Sequence, residues 1–297
     1  MEGRSVFKFL HLTDVHLVEQ GHALYGLDPV KRLTLCIDSM LQEHADAALC
    51  VVTGDLAHVG HRDAYRQLAE QLARLPMPVL PILGNHDNRA NFREYFPQVP
   101  VDANGFVQYE VAVGAYRGLF LDTNEPGVSH GVLCEQRAQW LAERLAQDDR
   151  PVLLFMHHPA FALGIPSMDR IALLDTAPFR RALQGHTQRI KHLFFGHVHR
   201  PIFGSWLGIP YSTMRGTNHQ VALRLDATAK IGGSHEPPQY SVVLLGEEAP
   251  AGLAQPGDRV LPRDPDEVAL FELCYSLLDL HRVSSPAARC WAGSAAA

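Results

Sequence analysis

Cysteine is scarce in this chain: five among 297 residues (Cys36, Cys50, Cys134, Cys274 and Cys290), with no C-x-x-C pair. That scatter argues against a disulfide framework or a thiolate metal site. Cys36 and Cys50 lie within apolar patterns and read as packing thiols. Long apolar runs are missing as well. No stretch reaches the roughly 18 residues that span a bilayer, and Met1 to His11 has neither the long apolar segment nor the small-residue cleavage site of a secretory signal. A cytoplasmic location with no membrane partner is the expectation. Basic charge is also short, 26 Lys and Arg against 32 Asp and Glu for a formal net charge of −6. Without a basic stripe, a nucleic acid polymer is not expected as the main partner. A small anion held by local metal charge is still allowed.

What is present is an ordinary globular balance, 46% hydrophobic and 20% charged, enough to bury a large core. Short apolar runs of strand length occur at Val6 to Leu12, Ala47 to Val52, Val79 to Leu83, Gly118 to Leu121, Val152 to Met156 and Ile190 to Phe195. Between them, Pro29 to Glu43, Arg62 to Leu75, Cys134 to Ala146 and Pro178 to Gln188 carry helical spacing. The alternation predicts an α/β architecture. Trp206 to Met214 and Tyr240 to Leu245 read as strands with no strong helix between them, hence an antiparallel edge or a second sheet. After Gly246, Pro250, Pro256, Pro262 and Pro265 break the pattern, Val268 to Leu280 reads as an amphipathic helix, and Ser284 to Ala297 as a frayed end. The expected division is a catalytic domain over 1–248 and a partly helical appendage over 249–297.

Five polar clusters punctuate the chain: Asp14-Val15-His16, Gly54-Asp55, Gly84-Asn85-His86-Asp87, His157-His158 and Gly196-His197-Val198-His199. Nearly every one directly follows an apolar run, so strands can carry residues some 180 positions apart to one point. Asp14 and His16, two apart on an extended chain, face one way. Taken alone, a D-x-H in a chain with 17 histidines is equally a surface turn. Gly54 permits a tight turn from which the Asp55 carboxylate emerges. Asn85 offers a neutral oxygen ligand, His86 a proton donor, and Asp87 a carboxylate able to orient an imidazole. His157 or His158 emerges from the end of a buried-type strand, where a satisfied core histidine competes with a ligand. His197 and His199 repeat the period of two, and an imidazole pair with carboxylates available is a metal-site pattern. Together the hard oxygen and borderline nitrogen donors suit Mn, Fe, Co or Zn, and the chemistry reads as metal-assisted attack of water on a phosphate ester.

The combination resembles the calcineurin-like metallophosphoesterase family. Within that family it is most similar to the class III cyclic-nucleotide phosphodiesterases and the related bacterial glycerophosphodiesterases. Leu24-Tyr25-Gly26, Gly84-Asn85-His86-Asp87-Asn88-Arg89, Met156-His157-His158-Pro159, Gly164-Ile165-Pro166 with Met168-Asp169, and Gly216-Thr217-Asn218-His219-Gln220 carry the closer match, Ala160 replacing a second proline after Pro159. The resemblance implies a four-layer α/β/β/α sandwich and two divalent transition-metal ions. One would be held by Asp14, His16, Asp55 and His199, the other by Asp55, Asn85, His157 and His197, with Asp55 bridging. His86 would face the phosphate from outside that shell, stabilising charge or protonating the departing alkoxide, and a hydroxide between the metals would attack. Two dications and two carboxylates leave +2, which one hydroxide and one diester neutralise, favouring a small phosphodiester over a monoester. Tyr25, Asn88, Arg89, Asp169 and His219 are candidates for the substrate pocket. The relatives form dimers or larger assemblies, so a homo-oligomer is also implied.

The leading reading is hydrolysis of 3',5'-cyclic nucleotides such as cyclic AMP to nucleoside monophosphates, with a glycerophosphodiesterase or broad phosphodiesterase as the alternative. A non-catalytic binding module would be expected to lose ligands, and a DNA-repair nuclease of the superfamily to carry a more basic surface.

Overall fold

The structure, a computed structural model, describes residues 6–228 and 230–246 and the backbone of 270–276 and 291–292. Val6–Leu12 (β1), Leu49–Thr53 (β2) and Val79–Ile82 (β3) lie parallel in one sheet. The connections between them are helices Pro29–Glu43 (α1) and Arg62–Leu72 (α2). Asp28 starts α1 by accepting the Lys31 N–H, Pro29 takes the first helical position, and Leu33, Cys36, Ile37 and Met40 form the buried face, a 3.6-residue spacing. Burial pushes the Cys36 and Cys50 thiols up to about 12, so both are packing groups, as expected.

After Arg89–Tyr95 (α3) the chain builds a second sheet from Tyr109–Val113 (β4), Tyr116–Phe120 (β5), Val152–Phe155 (β6), Ile190–Phe194 (β7), Ile202–Trp206 (β8) and Ile209–Thr213 (β9). Its order is β4-β5-β6-β7-β9-β8, with the four inner strands parallel and antiparallel partners at both edges. Glu135–Gln147 (α4), Pro166–Asp169 (α5) and Ala177–Leu183 (α6) are the helices of this half. Alternation along β6 assigns its two faces. Leu153 and Phe155 join the core shared with the first sheet, whereas Val152, Leu154 and Met156 pack with Leu141 and Leu145 of α4 and Phe179 and Leu183 of α6. On the other side, α1 and α2 cover the first sheet. The result is helices, sheet, sheet, helices, the four-layer α/β/β/α sandwich that the resemblance implies.

Register is set in the middle of this sandwich. Tyr109, Phe120, Phe155 and Phe194 are cross-strand partners, and their rings stack in series at 4.7, 4.6 and 4.8 Å. Phe9 of β1 meets Phe155 and Phe194 edge-on at 6.0 and 5.7 Å. Aromatic pairs of this kind add roughly 0.5–1.5 kcal/mol each beyond area burial. A one-residue slip would turn every ring to the wrong face. Because the ladder ends just before His157 and His197, it also levels the strand ends from which those imidazoles emerge.

Gln220–Val221 (β10) and Gly232–Ser234 (β11) form a small third sheet, and Gln239–Gly246 (β12) returns antiparallel to β1. The helix expected over Val268–Leu280 is corrected: Leu270–Ser276 (β13) is a strand on the free edge of β12, paired from Leu245↔Leu270 to Gln239↔Ser276. An open edge offers main-chain hydrogen bonds that override a local helical period. Trp291–Ala292 (β14) adds to β11. The expected appendage thus contributes one strand to each of two sheets, and the frayed end over 284–297 otherwise lies outside the described residues.

His192 tests the core's polar content. It is buried, its Nε2 pairs with Ser212 Oγ at 2.8 Å, and burial, then the nearby His11, push it down to about 3. A histidine that stays neutral in the fold binds fewer protons than the unfolded chain below pH 6.5, so its contribution is intact above that pH and is lost progressively toward pH 3. His192→Gln, which keeps a partner for Ser212, should therefore remove roughly 2–3 kcal/mol of the stability lost between pH 7.5 and 4.5. Urea unfolding at the two pH values measures this, and parallel losses in both proteins would contradict it.

Candidate metal centre

Each expected motif lies immediately beyond a strand: Asp14 and His16 after β1, Asp55 after β2, Asn85 after β3, His157 after β6, His197 and His199 after β7. Five of these side chains sit on strained backbone. Asp14, His16, Asp55, His197 and His199 have φ of 52, 48, 50, 70 and 48°, a left-handed conformation that non-glycine residues rarely adopt. The chain beyond β1 and β2 nevertheless runs on side by side, the Asp14 and His16 N–H groups donating to the Gly54 and Asp55 carbonyls at 3.1 and 2.8 Å and Leu17 bridging Ala57 in parallel. Gly54 and Gly84 permit the close approach. A Cβ at Gly54 would stand 2.5 Å from His157 Nδ1, and one at Gly84 2.2 Å from Asp55 Oδ1.

The donor atoms of Asp14, His16, Asp55 and His199 all lie within 4.8 Å of one another, and all four residues are buried. Asp14 Oδ1 is 3.1 Å from His199 Nε2, His16 Nε2 is 3.2 Å from His199 Nε2, and His16 Nε2 is 3.4 Å from Asp55 Oδ2. The other Asp55 oxygen, Oδ1, is 3.4 Å from His157 Nε2, while Asn85 Oδ1 is 3.1 Å from His197 Nδ1. Two ligands bound at about 2.1 Å to one ion stand roughly 3.0–3.4 Å apart, which is the spacing found. His157 Nε2 is buried and has no hydrogen-bond partner, an orphaned polar atom that a cation beside Asp55 would satisfy. The residues present fit divalent metal ions, with the two Asp55 oxygens facing different imidazoles.

Electrostatics point the same way. Burial opposes ionisation of Asp55, yet the surrounding His157, His86 and His16 hold its carboxyl well below the usual range. Burial likewise lowers His157, but the Asp55 and Asp14 charges outweigh it and raise the imidazole to about 9. One extra proton is thus drawn to the place where positive charge is needed. Burial, with His157 as the next contributor, pushes His197 down to about 3, and burial, followed by other imidazoles, takes His58 to about 4 and His219 to about 2. Most of the cluster is neutral imidazole with lone pairs available.

Around this centre, His86 donates from its main chain to Asp55 Oδ1 at 3.0 Å, and its Nδ1 sits 2.6 Å from the His58 carbonyl. Nδ1 therefore donates to that carbonyl. Asp87, expected to orient an imidazole, instead accepts the N–H groups of Gly84, Leu56 and Ala57 at 2.9, 3.1 and 3.0 Å and the Tyr65 hydroxyl at 2.9 Å. It ties the Asp55 turn to the Asn85 turn. Of the five pocket candidates, Tyr25 and His219 lie at the centre: their rings are 4.8 Å apart, and His219 is 4.8 Å from both His16 and His199. Asn88 caps α3 by accepting the Asn91 N–H. Arg89 makes a two-pronged pair with Asp122 at 2.8 and 3.0 Å, and Asp169 binds the Leu163 and Gly164 N–H groups at 2.8 and 3.1 Å. Each of those three side chains has a partner within the fold. Sequence reasoning missed His58, whose Nδ1 lies 3.3 Å from His16 Nδ1. Its place three residues after Asp55 was the available signal. It also missed Asn124, whose amide holds the Gly84 and Asp87 carbonyls at 2.6 and 3.1 Å.

Residues 7–201 match the model of the calcineurin-like phosphoesterase family. A probable cyclic nucleotide phosphodiesterase of Rhodopseudomonas palustris is 47% identical over 242 residues, 80% of this chain and 88% of that one. A probable glycerophosphodiester phosphodiesterase of Arcobacter nitrofigilis is 32% identical over 243 residues, 80% of this chain and 89% of that one. In fold, a dimetal phosphatase from Danio rerio superposes with a TM-score of 0.57 at 18% identity, covering 81% of this chain and 95% of that structure.

Asp87 is the cheapest place to test how the centre is braced. Asp87→Ala orphans three buried N–H groups, each worth about 1–3 kcal/mol when left unpaired, so a loss of roughly 3 kcal/mol or more is expected in urea unfolding. Tyr65→Phe deletes one hydrogen bond and should lose about 1 kcal/mol. Losses below that level in both variants would contradict the bracing role.

Proposed function

This chain belongs to the calcineurin-like phosphoesterase family and is a metal-dependent phosphodiesterase, and on that premise we propose that it hydrolyses 3',5'-cyclic nucleotides, cyclic AMP among them, to nucleoside monophosphates. The observation that carries the reading is the convergence of two buried carboxylates with buried imidazoles at ligand spacing. The higher identity to the cyclic nucleotide relative supports that substrate class over the glycerol diester. So do the rings of Tyr25, His58 and His219 beside the centre, since bases stack on aromatic faces. No helix among the described residues is long and apolar enough to cross a membrane.

In this reading Asp14, His16, Asp55 and His199 hold one divalent ion, and Asp55, Asn85, His157 and His197 hold the other. Bound there, the ions supply Lewis-acid activation of water and neutralise charge on the phosphate. The chain's own residues do the rest. Asp55 offers one oxygen to each half of the centre. His86 Nε2 gives a proton to the departing ester oxygen while Nδ1 stays on the His58 carbonyl, which fixes the direction of that proton. Tyr25 and His219 form the wall against which the substrate's organic part lies.

Two expectations follow from these roles. Asp55→Ala should lose bound metal and nearly all hydrolysis, whereas Asp38→Ala, on an exposed helical face where Asp38 pairs with Arg74, should lose neither. Metal content by mass spectrometry decides this, and two ions with normal activity in Asp55→Ala would remove the bridging role. His86→Ala should keep its metal and lose on the order of 10²–10⁴ in rate for cyclic AMP, but much less for bis(p-nitrophenyl) phosphate, whose leaving group departs unprotonated. Equal losses would leave His86 with charge stabilisation only. The substrate itself is tested by a panel on metal-reconstituted protein: cyclic AMP, cyclic GMP, glycerophosphodiesters, bis(p-nitrophenyl) phosphate and a monoester. The cyclic nucleotides should give the highest kcat/KM of the natural esters. A higher value for glycerophosphodiesters would make the chain a glycerophosphodiesterase instead.

A further inference from the structure

A ligand imidazole needs a partner for its second nitrogen, which fixes both tautomer and ring orientation. His199 Nδ1 is 2.8 Å from the His219 carbonyl and His157 Nδ1 is 2.7 Å from the Thr53 carbonyl. Both acceptors are main chain and survive any substitution. His16 differs: its Nδ1 lies 3.3 Å from Nδ1 of His58, an acceptor that exists only because of the side chain at position 58. Two ring nitrogens bond only when one carries the proton and the other a lone pair. For His16 to turn the Nε2 lone pair toward Asp14, Asp55 and His199, its Nδ1 must hold the proton. His58 must then accept at Nδ1 and carry its own proton on Nε2.

The His58 ring is held in that pose from two sides. It stacks on His86 at 4.8 Å with 19° between planes and meets the Tyr25 ring edge-on at 5.7 Å. Its main-chain carbonyl meanwhile accepts the His86 Nδ1–H. One residue thus touches a metal-facing imidazole through its ring and the proton-donating imidazole through its backbone.

We propose that His58 is a positioning residue that sets the affinity of one metal site, the one lined by Asp14, His16, Asp55 and His199, by accepting the His16 Nδ1–H. The inference rests on the metal assignment proposed above. It follows that the two metal sites differ in how they respond to substitution at position 58. A change of ring acceptor there acts on His16 and leaves His157, held by the Thr53 carbonyl, as it is.

The test uses His58→Leu, which removes the acceptor, and His58→Asn, whose Oδ1 stands as many bonds from Cα as Nδ1 and restores one. Metal-free full-length proteins are titrated with Co²⁺, and both dissociation constants are read by calorimetry and the visible spectrum, with no turnover involved. Wild type should bind two ions. His58→Leu should weaken one of them by about 10- to 100-fold, the range for loss of an outer partner of a ligand, and leave the other within threefold. His58→Asn should return the weakened site to within threefold of wild type. The proposal is overturned if His58→Leu binds both ions as wild type does, if both sites weaken together, or if Asn is as weak as Leu. A wild type that binds no ion overturns the metal assignment itself, a separate and recognisable result.

Discussion

Two carboxylates, Asp14 and Asp55, are buried beneath the surface of this protein, and among the described residues their ion-pair partners are all imidazoles. A carboxylate taken out of water costs several kcal/mol unless positive charge is brought to it. Against the burial of both rings, Asp55 raises His157 to about 9 and Asp14 raises His199, whereas burial keeps His16 neutral, so the imidazoles answer the two carboxylates only in part. Much of the surrounding structure is what holds two such groups side by side. The Leu56, Ala57 and Gly84 N–H groups on Asp87, the His197 N–H on Asp14 at 3.1 Å and the His86 N–H on Asp55 at 3.0 Å lock the turns around them.

The same constraint explains the backbone. Left-handed conformations at non-glycine residues cost on the order of 1–3 kcal/mol each, and five of them fall on proposed ligands. They persist because the strands behind them cannot give way. The stacked rings of Tyr109, Phe120, Phe155 and Phe194 and the edge contacts of Phe9 fix the two sheets relative to each other. Strain at the strand ends is thus offset by a core whose register admits one alignment, and the donors are preorganised by packing far from the chemistry.

How much of this was legible in the sequence depended on the length of each signal. Strands such as Val152–Phe155 and helices such as Pro29–Glu43 carry enough periodic residues to be placed within one or two positions. The motif residues stood out because each follows such a strand. Arg89–Tyr95 and Tyr109–Val113 were missed because each is too short for its periodicity to show. Leu270–Ser276 was read as helix because its local spacing is ambiguous, and the free edge of β12 that decides it is set by the fold. Side-chain roles that depend on a partner distant in sequence were the least visible. The pairing of Arg89 with Asp122, 33 positions away, and the approach of His58 to His16, 42 positions away, exist only once the chain has folded.

The central claim, that this constellation is a two-ion centre sharing Asp55, is met most directly by an anomalous-scattering map from crystals grown with Mn²⁺. The account predicts two peaks per chain. One should lie about 2.2 Å from donors of Asp14, His16, Asp55 and His199, the other about 2.2 Å from donors of Asp55, Asn85, His157 and His197. A single peak, or a pair in which Asp55 touches only one ion, would contradict it.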